Sequence, residues 1–315
     1  MSANVLKTML SAKVTVVLIN WNRIDDTLDC IESLHKSDYL DIQIVVVDNG
    51  SIDDSLSRLH TIQDKITIIA SPDNMGFTGG NNLGMRHAAA NGSDYVLLLN
   101  NDTTVAPNMI SALVAAAEAH KGAGIISPKI FYYDHPRLIW HAGGLWNARL
   151  GIAKSIGHDE IDRGQYDQSR EVSWASGCAL LLRRTVIQDV GFLCDDFFAV
   201  AEDVDYCLRV QAAGYKVLYV PEARVWHKVS ASSGGGDSPQ YIYYQTRNLF
   251  MLQTKWIKNK PTFLLARGRL LVHYLIRVAK FMGRGQIRAN IGIMLGIYDG
   301  IRGKTGKQEY QILLR

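Results

Sequence analysis

Short apolar runs rich in β-branched residues recur along the first third of the chain, at Val14 to Ile19, Ile42 to Val47, Ile66 to Ala70 and Tyr95 to Leu99. Each is apolar at nearly every position rather than at alternate ones, the pattern of a strand covered on both faces. Between them lie helix-patterned stretches: about Asp25 to Lys36, with Thr27, Leu28, Ile31 and Leu34 on one face, then Asp53 to Ile62 and Gly80 to Ala90. This alternation predicts a mostly parallel sheet with helices on both faces. Pro107, at a first-turn position where its missing N–H costs nothing, opens a helix through His120, and Gly124 to Ser127 resumes the sheet. From about Ile130 to Val172 the pattern loosens into Gly-, Tyr- and Trp-bearing segments that fit neither period. Periodicity returns with a strand at Cys178 to Leu182, helices at Thr185 to Val190 and Asp203 to Ala213, the latter ended by Gly214, and a short strand at Val217 to Val220 before Pro221.

With 315 residues, 47% hydrophobic and 20% charged, the chain has material for one large core or two modest ones. Cys30, Cys178, Cys194 and Cys207 form no Cys-x-x-Cys pair, so neither a zinc knuckle nor a redox dithiol is indicated and a reducing compartment is expected. Met1 to Lys13 lacks the apolar run of a signal peptide. Charge is unevenly spread: Lys255 to Arg315 carries 13 Lys and Arg against two acids, Asp299 and Glu309, leaving 21 basic and 28 acidic residues before it.

The ends of the strands carry the chemistry. No Gly-x-Gly-x-x-Gly turn follows the first strand; Asn20-Trp21-Asn22-Arg23 puts polar groups and an aromatic face there instead, an edge for a base or ribose. Asp48 is placed to accept from a ribose hydroxyl or a pyrimidine N–H, and equally to close an Asx turn. Asn74 to Asn82, with Gly76 and Asn81, is a Gly-rich loop feeding a helix N-terminus, suited to phosphate or to a simple turn. The fourth strand ends in Asn100-Asn101-Asp102, where a carboxylate and two carboxamides suit a metal-diphosphate site or an Asx-capped turn. Glu202 and Asp203 open a helix, as acid–base groups or as a favourable cap for its dipole. His227 beside Trp226 is a packed core residue or a ligand. Gly177 lets a ligand approach the backbone, and Trp174 stacks on a sugar face or packs.

Taken in order, Val45-Val46-Val47-Asp48-Asn49-Gly50-Ser51, Asn74-Met75-Gly76-Phe77, Leu97-Leu98-Leu99-Asn100-Asn101-Asp102, Ser176-Gly177-Cys178-Ala179, Glu202-Asp203-Val204-Asp205 and Val225-Trp226-His227 resemble the inverting glycosyltransferases of family two. The branch with bacterial rhamnosyltransferases and galactofuranosyltransferases is the most similar. The resemblance runs from about Val14 to Asn248. It implies a GT-A fold, a Rossmann-like nucleotide-diphospho-sugar transferase architecture, with a dTDP- or UDP-linked sugar donor and a divalent cation, Mn²⁺ or Mg²⁺. It carries the metal role to Asp102 and His227, the base-binding role to Asp48 and the general-base role to Asp203 with Glu202 beside it. Asn20, Asn22, Asn74, Gly76, Asn81, Asn101, Trp174 and Gly177 join Asp48 as nucleotide-sugar contacts, and the loosely patterned 130–172 stretch is where acceptor or sugar contacts vary. Asn100 departs from the acid that many members carry there, so the cation is expected to bind weakly until the diphosphate arrives, and a metal-independent reaction stays open.

These readings divide the chain into a catalytic domain, 1–254, with a nucleotide half at about 14–127 and an acceptor half at about 128–254, and a basic helical region, 255–315. In that region Leu264, Leu271, Leu275, Val278 and Met282 recur at helical spacing on one face and Arg269, His273, Arg277, Lys280, Arg284 and Arg288 on another. This is the pattern of a helix lying in an anionic membrane surface without spanning it; packing on the catalytic domain or on a second copy in a homo-oligomer is the alternative. No motif that reads nucleic acid accompanies the charge. The expectation is a cytoplasmic enzyme, peripheral at the inner face of the cell membrane, that extends a glycan or lipid-linked acceptor in cell-surface polysaccharide synthesis. A sugar-nucleotide pyrophosphorylase and a non-catalytic glycan-binding or assembly protein on the same fold are the rivals.

Overall fold

The structure is a computed structural model that describes residues 12–229 and 238–314; the stretch read for a signal peptide lies, apart from its last two residues, outside the described residues. In chain order the elements are β1 (Val14–Asn20), α1 (Ile24–His35), β2 (Ile42–Asn49), α2 (Ser55–His60), β3 (Thr67–Ser71), α3 (Gly76–Ala90), β4 (Tyr95–Asn100), β5 (Thr103–Val105), α4 (Met109–Ala119) and β6 (Ala123–Tyr132). There follow β7 (Leu138–His141), β8 (Gly144–Asn147), β9 (Ile152–Ser155), β10 (Glu160–Ile161), β11 (Arg170–Val172), β12 (Ala179–Arg183), α5 (Arg184–Val190), α6 (Glu202–Ala212) and β13 (Lys216–His227). The chain closes with α7 (Pro239–Trp256), α8 (Lys260–Gly283), α9 (Ile287–Arg302) and α10 (Gln311–Leu314).

The main sheet runs β10-β7-β6-β12-β4-β1-β2-β3. Its β4-β1-β2-β3 half is parallel, as the continuous apolar runs predict. The expectation of a mostly parallel sheet needs correction beyond that half: β12 enters antiparallel between β4 and β6, and the sheet is mixed. Both faces are covered. Val14, Val16 and Leu18 of β1 join one apolar cluster with α1 and α4, and Val17 joins the other with α3; each such buried side chain contributes about 1.5–3 kcal/mol.

Several boundaries differ from expectation, each for a local reason. Helix α3 begins at Gly76, so most of the expected Gly-rich loop is helical. Its glycines serve close packing: a Cβ on Gly84 would meet Val17 at 2.2 Å and one on Gly80 would meet Ile19 at 3.1 Å. Pro107 lies before α4 rather than in its first turn, and α2 is shorter than its apolar pattern. Strand β13 passes through Pro221, because its pairing with β6 shifts register between Val220 and Arg224 and asks no hydrogen bond of the proline. The unassigned 130–172 stretch holds the end of β6, the β8–β9 hairpin and short edge strands.

Residues 255–314 are a packed bundle rather than a tail. Ile242 and Phe250 of α7 share a buried cluster with Leu270, Tyr274 and Phe281 of α8 and Ala289 and Ile293 of α9. Helix α9 lies against α7 through Gly292, Gly296 and Gly300, where an added Cβ would meet Pro239 O at 2.5 Å, Thr246 Cβ at 2.7 Å and Phe250 Cβ at 2.7 Å. The expected apolar stripe therefore splits: Leu271 and Val278 pack into the bundle while Leu264, Leu275 and Met282 stay exposed. Arg277 turns to Gln245 of α7, its guanidinium donating to Oε1 at 2.5 Å.

Gly296→Val should separate α9 from α7 at a cost of about 1–3 kcal/mol, the usual range for overpacking. A lower urea midpoint with early proteolytic release of the C-terminal helices is the expected result; an unchanged midpoint would show that this contact yields without cost.

Candidate active site

Register alone gathers the polar strand ends. Asn20 pairs with Asp48 across β1 and β2, and Ile19 with Asn100 across β1 and β4, so the carboxyl ends of three strands meet at one rim. There Asn20 Nδ2 donates to Asp48 Oδ1 at 2.9 Å, Thr27 Oγ1 donates to Asn20 Oδ1 at 2.8 Å, and Asn101 Nδ2 donates to Thr27 Oγ1 at 2.9 Å. All four side chains are buried, so their polar atoms satisfy one another and fix the rim. Asp48 also accepts from the Ser51 hydroxyl at 2.6 Å and its N–H at 3.3 Å, the Asx-type turn that was the alternative for this residue. Asn22, in the left-handed region at φ 54, staples the same loop by accepting from Ile52 N at 2.8 Å. Trp21 stands at the mouth, 38% exposed.

The turn into α3 is held by Asn49, a buried residue that pattern reasoning passed over. Its Nδ2 donates to Asn74 Oδ1 and Gly76 O, and its Oδ1 accepts from Met75 N. Gly76 is needed there: φ is +74 and a Cβ would lie 2.4 Å from Phe198 O. Asn81 is buried in the helix, its amide donating to Phe77 O at 3.0 Å.

Strand β13 pairs with β5 so that His227 faces Thr103, which brings it to Asp102. His227 Nε2 and Asp102 Oδ1 are 3.0 Å apart and both side chains are buried. Burial works to raise the Asp102 pKa, but the hydrogen bond and charge of His227 hold it below its ordinary value. Burial likewise opposes protonation of His227, yet Cys178 and Asp102 raise its pKa to about 10. His227 Nδ1 is a buried atom without a hydrogen-bond partner. Asp102 and, once its ring gives up a proton, His227 offer one oxygen and one nitrogen donor to a cation such as Mn²⁺ whose remaining ligands come from outside the chain. Among the described residues no group of three His, Cys, Asp or Glu side chains could hold a metal unaided.

Glu202 and Asp203 open α6, as expected. Asp203 Oδ2 accepts from Gly177 N at 2.9 Å and Oδ1 from Val204 N at 2.7 Å. One residue on, Cys178 O accepts from Asn100 N at 2.9 Å. The short turn 176–178 thus ties the carboxylate pair to the strand end that carries Asp102. Burial raises the Asp203 pKa while the N–H groups of Gly177 and Val204 restrain the rise. Glu202 is fully enclosed, its Oε2 has no partner, and burial followed by the Asp203 charge pushes its pKa far above the carboxylate range. Burial thus opposes ionisation of both carboxyls, and more strongly that of Glu202, since Asp203 is partly exposed and accepts two backbone N–H groups.

His141 completes the support of the turn and was missed in the sequence, where it lies in the loosely patterned stretch. Burial lowers its pKa to about 3, so the neutral ring accepts from Ser176 N at Nε2, 3.2 Å, and turns Nδ1 to Ser155 Oγ at 2.7 Å. Trp174 packs on this ring at 4.8 Å and over Gly144, where a Cβ would lie 2.1 Å from the indole. Its placement is the packing alternative.

The family model for glycosyl transferase family 2 matches residues 15–191. A low-salt glycan biosynthesis hexosyltransferase, Agl10 of Haloferax volcanii, is 24% identical over 98% of this chain and 97% of its own length. A dTDP-rhamnosyl transferase, RfbF of Shigella flexneri, is 25% identical over 85% of this chain and 88% of its own. An uncharacterized protein of Sinorhizobium fredii, y4gI, is 27% identical over 77% of this chain, which spans only 27% of that relative's length. Among solved structures, the mannosyltransferase PcManGT of Pyrobaculum calidifontis, in complex with GDP-Man and Mn²⁺, superposes with a TM-score of 0.58 at 14% identity over 93% of this chain and 88% of that one. The fold is of the GT-A type.

The Asp102–His227 pair generates a pH dependence in chelator-treated protein. His227 has a folded-state pKa above its unfolded one, so its contribution is full below about 6.5 and is lost as pH rises toward about 10. Asp102 has a lowered folded-state pKa, so its contribution is present above about 3.8 and is lost as pH falls through the folded value. Urea midpoints should decline on both sides of that window, with His227→Gln flattening the alkaline limb. An alkaline limb unaltered by the substitution would mean that the two groups are not an ion pair.

Proposed function

The chain belongs to glycosyl transferase family 2, and on that premise we propose that it transfers a sugar, with inversion, from a dTDP- or UDP-linked donor to a hydroxyl of a glycan or lipid-linked acceptor in cell-surface polysaccharide synthesis. The observation that carries the reading is the turn 176–178, which holds Asp203 by the Gly177 N–H and Asn100 by the Cys178 carbonyl. Asp203 takes the proton of the acceptor hydroxyl; the oxygen forms its bond to the anomeric carbon, and the bond to the diphosphate oxygen breaks with its electron pair leaving on the nucleoside diphosphate. Glu202, whose ionisation burial opposes more strongly, leaves Asp203 as the acceptor of that proton. Asp102 and His227 are the residues that would hold a divalent cation, which when bound neutralises charge on the diphosphate. A rhamnose-like sugar is favoured by the likeness to RfbF, described as a dTDP-rhamnosyl transferase.

The reading extends to location: a cytoplasmic enzyme, peripheral at an anionic membrane surface. Helix α8 carries no acid and exposes Leu264, Leu265, Val272, Leu275, Ile276 and Met282 beside Arg269, Lys280 and Arg284. That combination supports an interfacial position, each cation adding about 1 kcal/mol near anionic lipid and less with salt. Among the described residues no helix is long and apolar enough to cross a membrane.

Asp203→Asn should lower turnover roughly 10²-fold or more with donor affinity nearly unchanged; near-normal turnover removes Asp203 from the mechanism. By calorimetry with UDP and dTDP, Asp102→Ala should abolish the metal-dependent part of binding, and a chelator without effect on the native affinity excludes the cation role. The intact chain should sediment with phosphatidylserine vesicles at low salt and less at high salt, whereas indifference at low salt assigns the exposed helix face to another partner.

A further inference from the structure

The segment that delivers Glu202 and Asp203 to the site holds a backbone conformation that its own residues disfavour. Phe198 sits at φ 63, ψ −57, with Ala199 N donating to Phe197 O at 2.7 Å, a γ-turn of the strained positive-φ form. Val200 at φ 70 and Ala201 at φ 71 follow in the left-handed region, a region that β-branched valine avoids and that no glycine here relieves. The strain persists because the carbonyls are taken up from outside the segment. Asn248 Nδ2 shares its two hydrogens among Phe197 O at 3.0 Å, Ala199 O at 2.7 Å and Val200 O at 2.7 Å. Arg247 Nη2 donates to Phe197 O at 2.9 Å and Asp196 O at 3.2 Å, and its Nε donates to Asn248 Oδ1 at 2.8 Å, fixing that amide's orientation. Both side chains are completely buried on α7. Phe198 O, pointing the other way, accepts from Thr78 N at 3.1 Å at the start of α3.

We propose that Arg247 and Asn248 are positioning residues for Asp203: by holding the carbonyls of residues 196–200 they set where α6 begins, and hence where the base meets the acceptor hydroxyl. The inference rests on Asp203 being that base. Arg247 Nε orients Asn248, and Nη1 donates to Gly306 O at 2.6 Å beyond α9; the other donors, Arg247 Nη2 and both hydrogens of the Asn248 amide, converge on the carbonyls of residues 196–200, the segment that immediately precedes the reactive carboxylates.

The test uses the full chain with dTDP-rhamnose, UDP-glucose and UDP-galactose as donors, reading nucleoside diphosphate release. It compares Asn248→Ala, Asn248→Asp and, as a control of similar stability loss, Ile293→Ala in the bundle core. Asn248→Ala and Asn248→Asp should lower kcat by roughly 10- to 100-fold with donor KM within about threefold, the signature of a misplaced catalytic group, and the acidic limb of the kcat–pH profile should shift. In Asp203→Asn the further change Asn248→Ala should cost nothing more. Hydrogen exchange, independent of any donor, should show lost protection at residues 196–205 in Asn248→Ala and not in Ile293→Ala. The positioning role is overturned by a kcat for Asn248→Ala within about threefold of native, by an equal loss in Ile293→Ala, or by unchanged exchange at 196–205. An active Asp203→Asn overturns the base assignment itself, and the positioning role with it; an inactive Asp203→Asn beside an active Asn248→Ala overturns the positioning role alone.

Discussion

The hydrogen bond from the Gly177 N–H to the Asp203 carboxylate, 2.9 Å, is the contact on which the rest of the site depends. Gly177 is at the turn because β12 runs antiparallel between β4 and β6, which returns the chain to the rim where the parallel strands end. A parallel strand inserted there would not do so, since its amino end, and the turn that precedes it, would lie at the opposite rim. The same turn is pinned from below by His141 and from the side by Asn100, so the position of one carboxylate is set by a helix, a sheet edge and a buried neutral imidazole together.

Several features around this contact run against stability. Glu202 is buried with an oxygen unpartnered, and Val200 and Ala201 are left-handed without being glycine. Strained or unpaired groups of this kind cost of order 1–3 kcal/mol each. The large two-sided core offsets such costs, and among the described residues three of the six positive-φ residues other than glycine, Phe198, Val200 and Ala201, lie directly before Glu202 and Asp203. By contrast the polar residues of the rim are fully satisfied, and they hold a shape rather than store strain.

The parallel half of the sheet was legible because runs apolar at every position admit one burial pattern, and the strand ends followed from it. Asp102, Asp203 and His227 were singled out through ordered motifs and Asn20, Asp48 and Asn101 from the strand ends; in the structure Asn20 bonds Asp48, and Asn101 bonds Thr27. Legibility failed where structure comes from long-range contacts. Pro221 hid the second half of β13, because only a register shift against β6 makes a proline acceptable there. Gly76 and Gly80 suggested a phosphate loop, since nothing local says that Phe198 and Ile19 of β1 would press against them. His141 sits in a stretch with no period, and Arg247 and Asn248 lie on a helix whose pattern gives no hint that their side chains reach back some fifty residues along the chain, to the carbonyls of residues 196–200.

Helix α7 connects the two halves of the molecule at more than one level. At its end, Lys255 Nζ and Trp256 Nε1 reach the buried Asp205 of α6 at 2.8 and 2.9 Å, and Arg209 supplies the third donor at 3.0 Å. Removing one of the three donors leaves a buried carboxylate with weaker compensation, which costs more than an exposed pair of the same kind contributes. In its middle, Arg247 and Asn248 grip the segment before Glu202, while α9 packs on it through Gly292, Gly296 and Gly300, which allow no slack, and α8 shares its buried apolar cluster. The exposed apolar and cationic face of α8 and the carboxylates of α6 are therefore held by one rigid rod. On the proposed function, with Asp203 as the base, a surface that oriented α8 would orient that carboxylate with it.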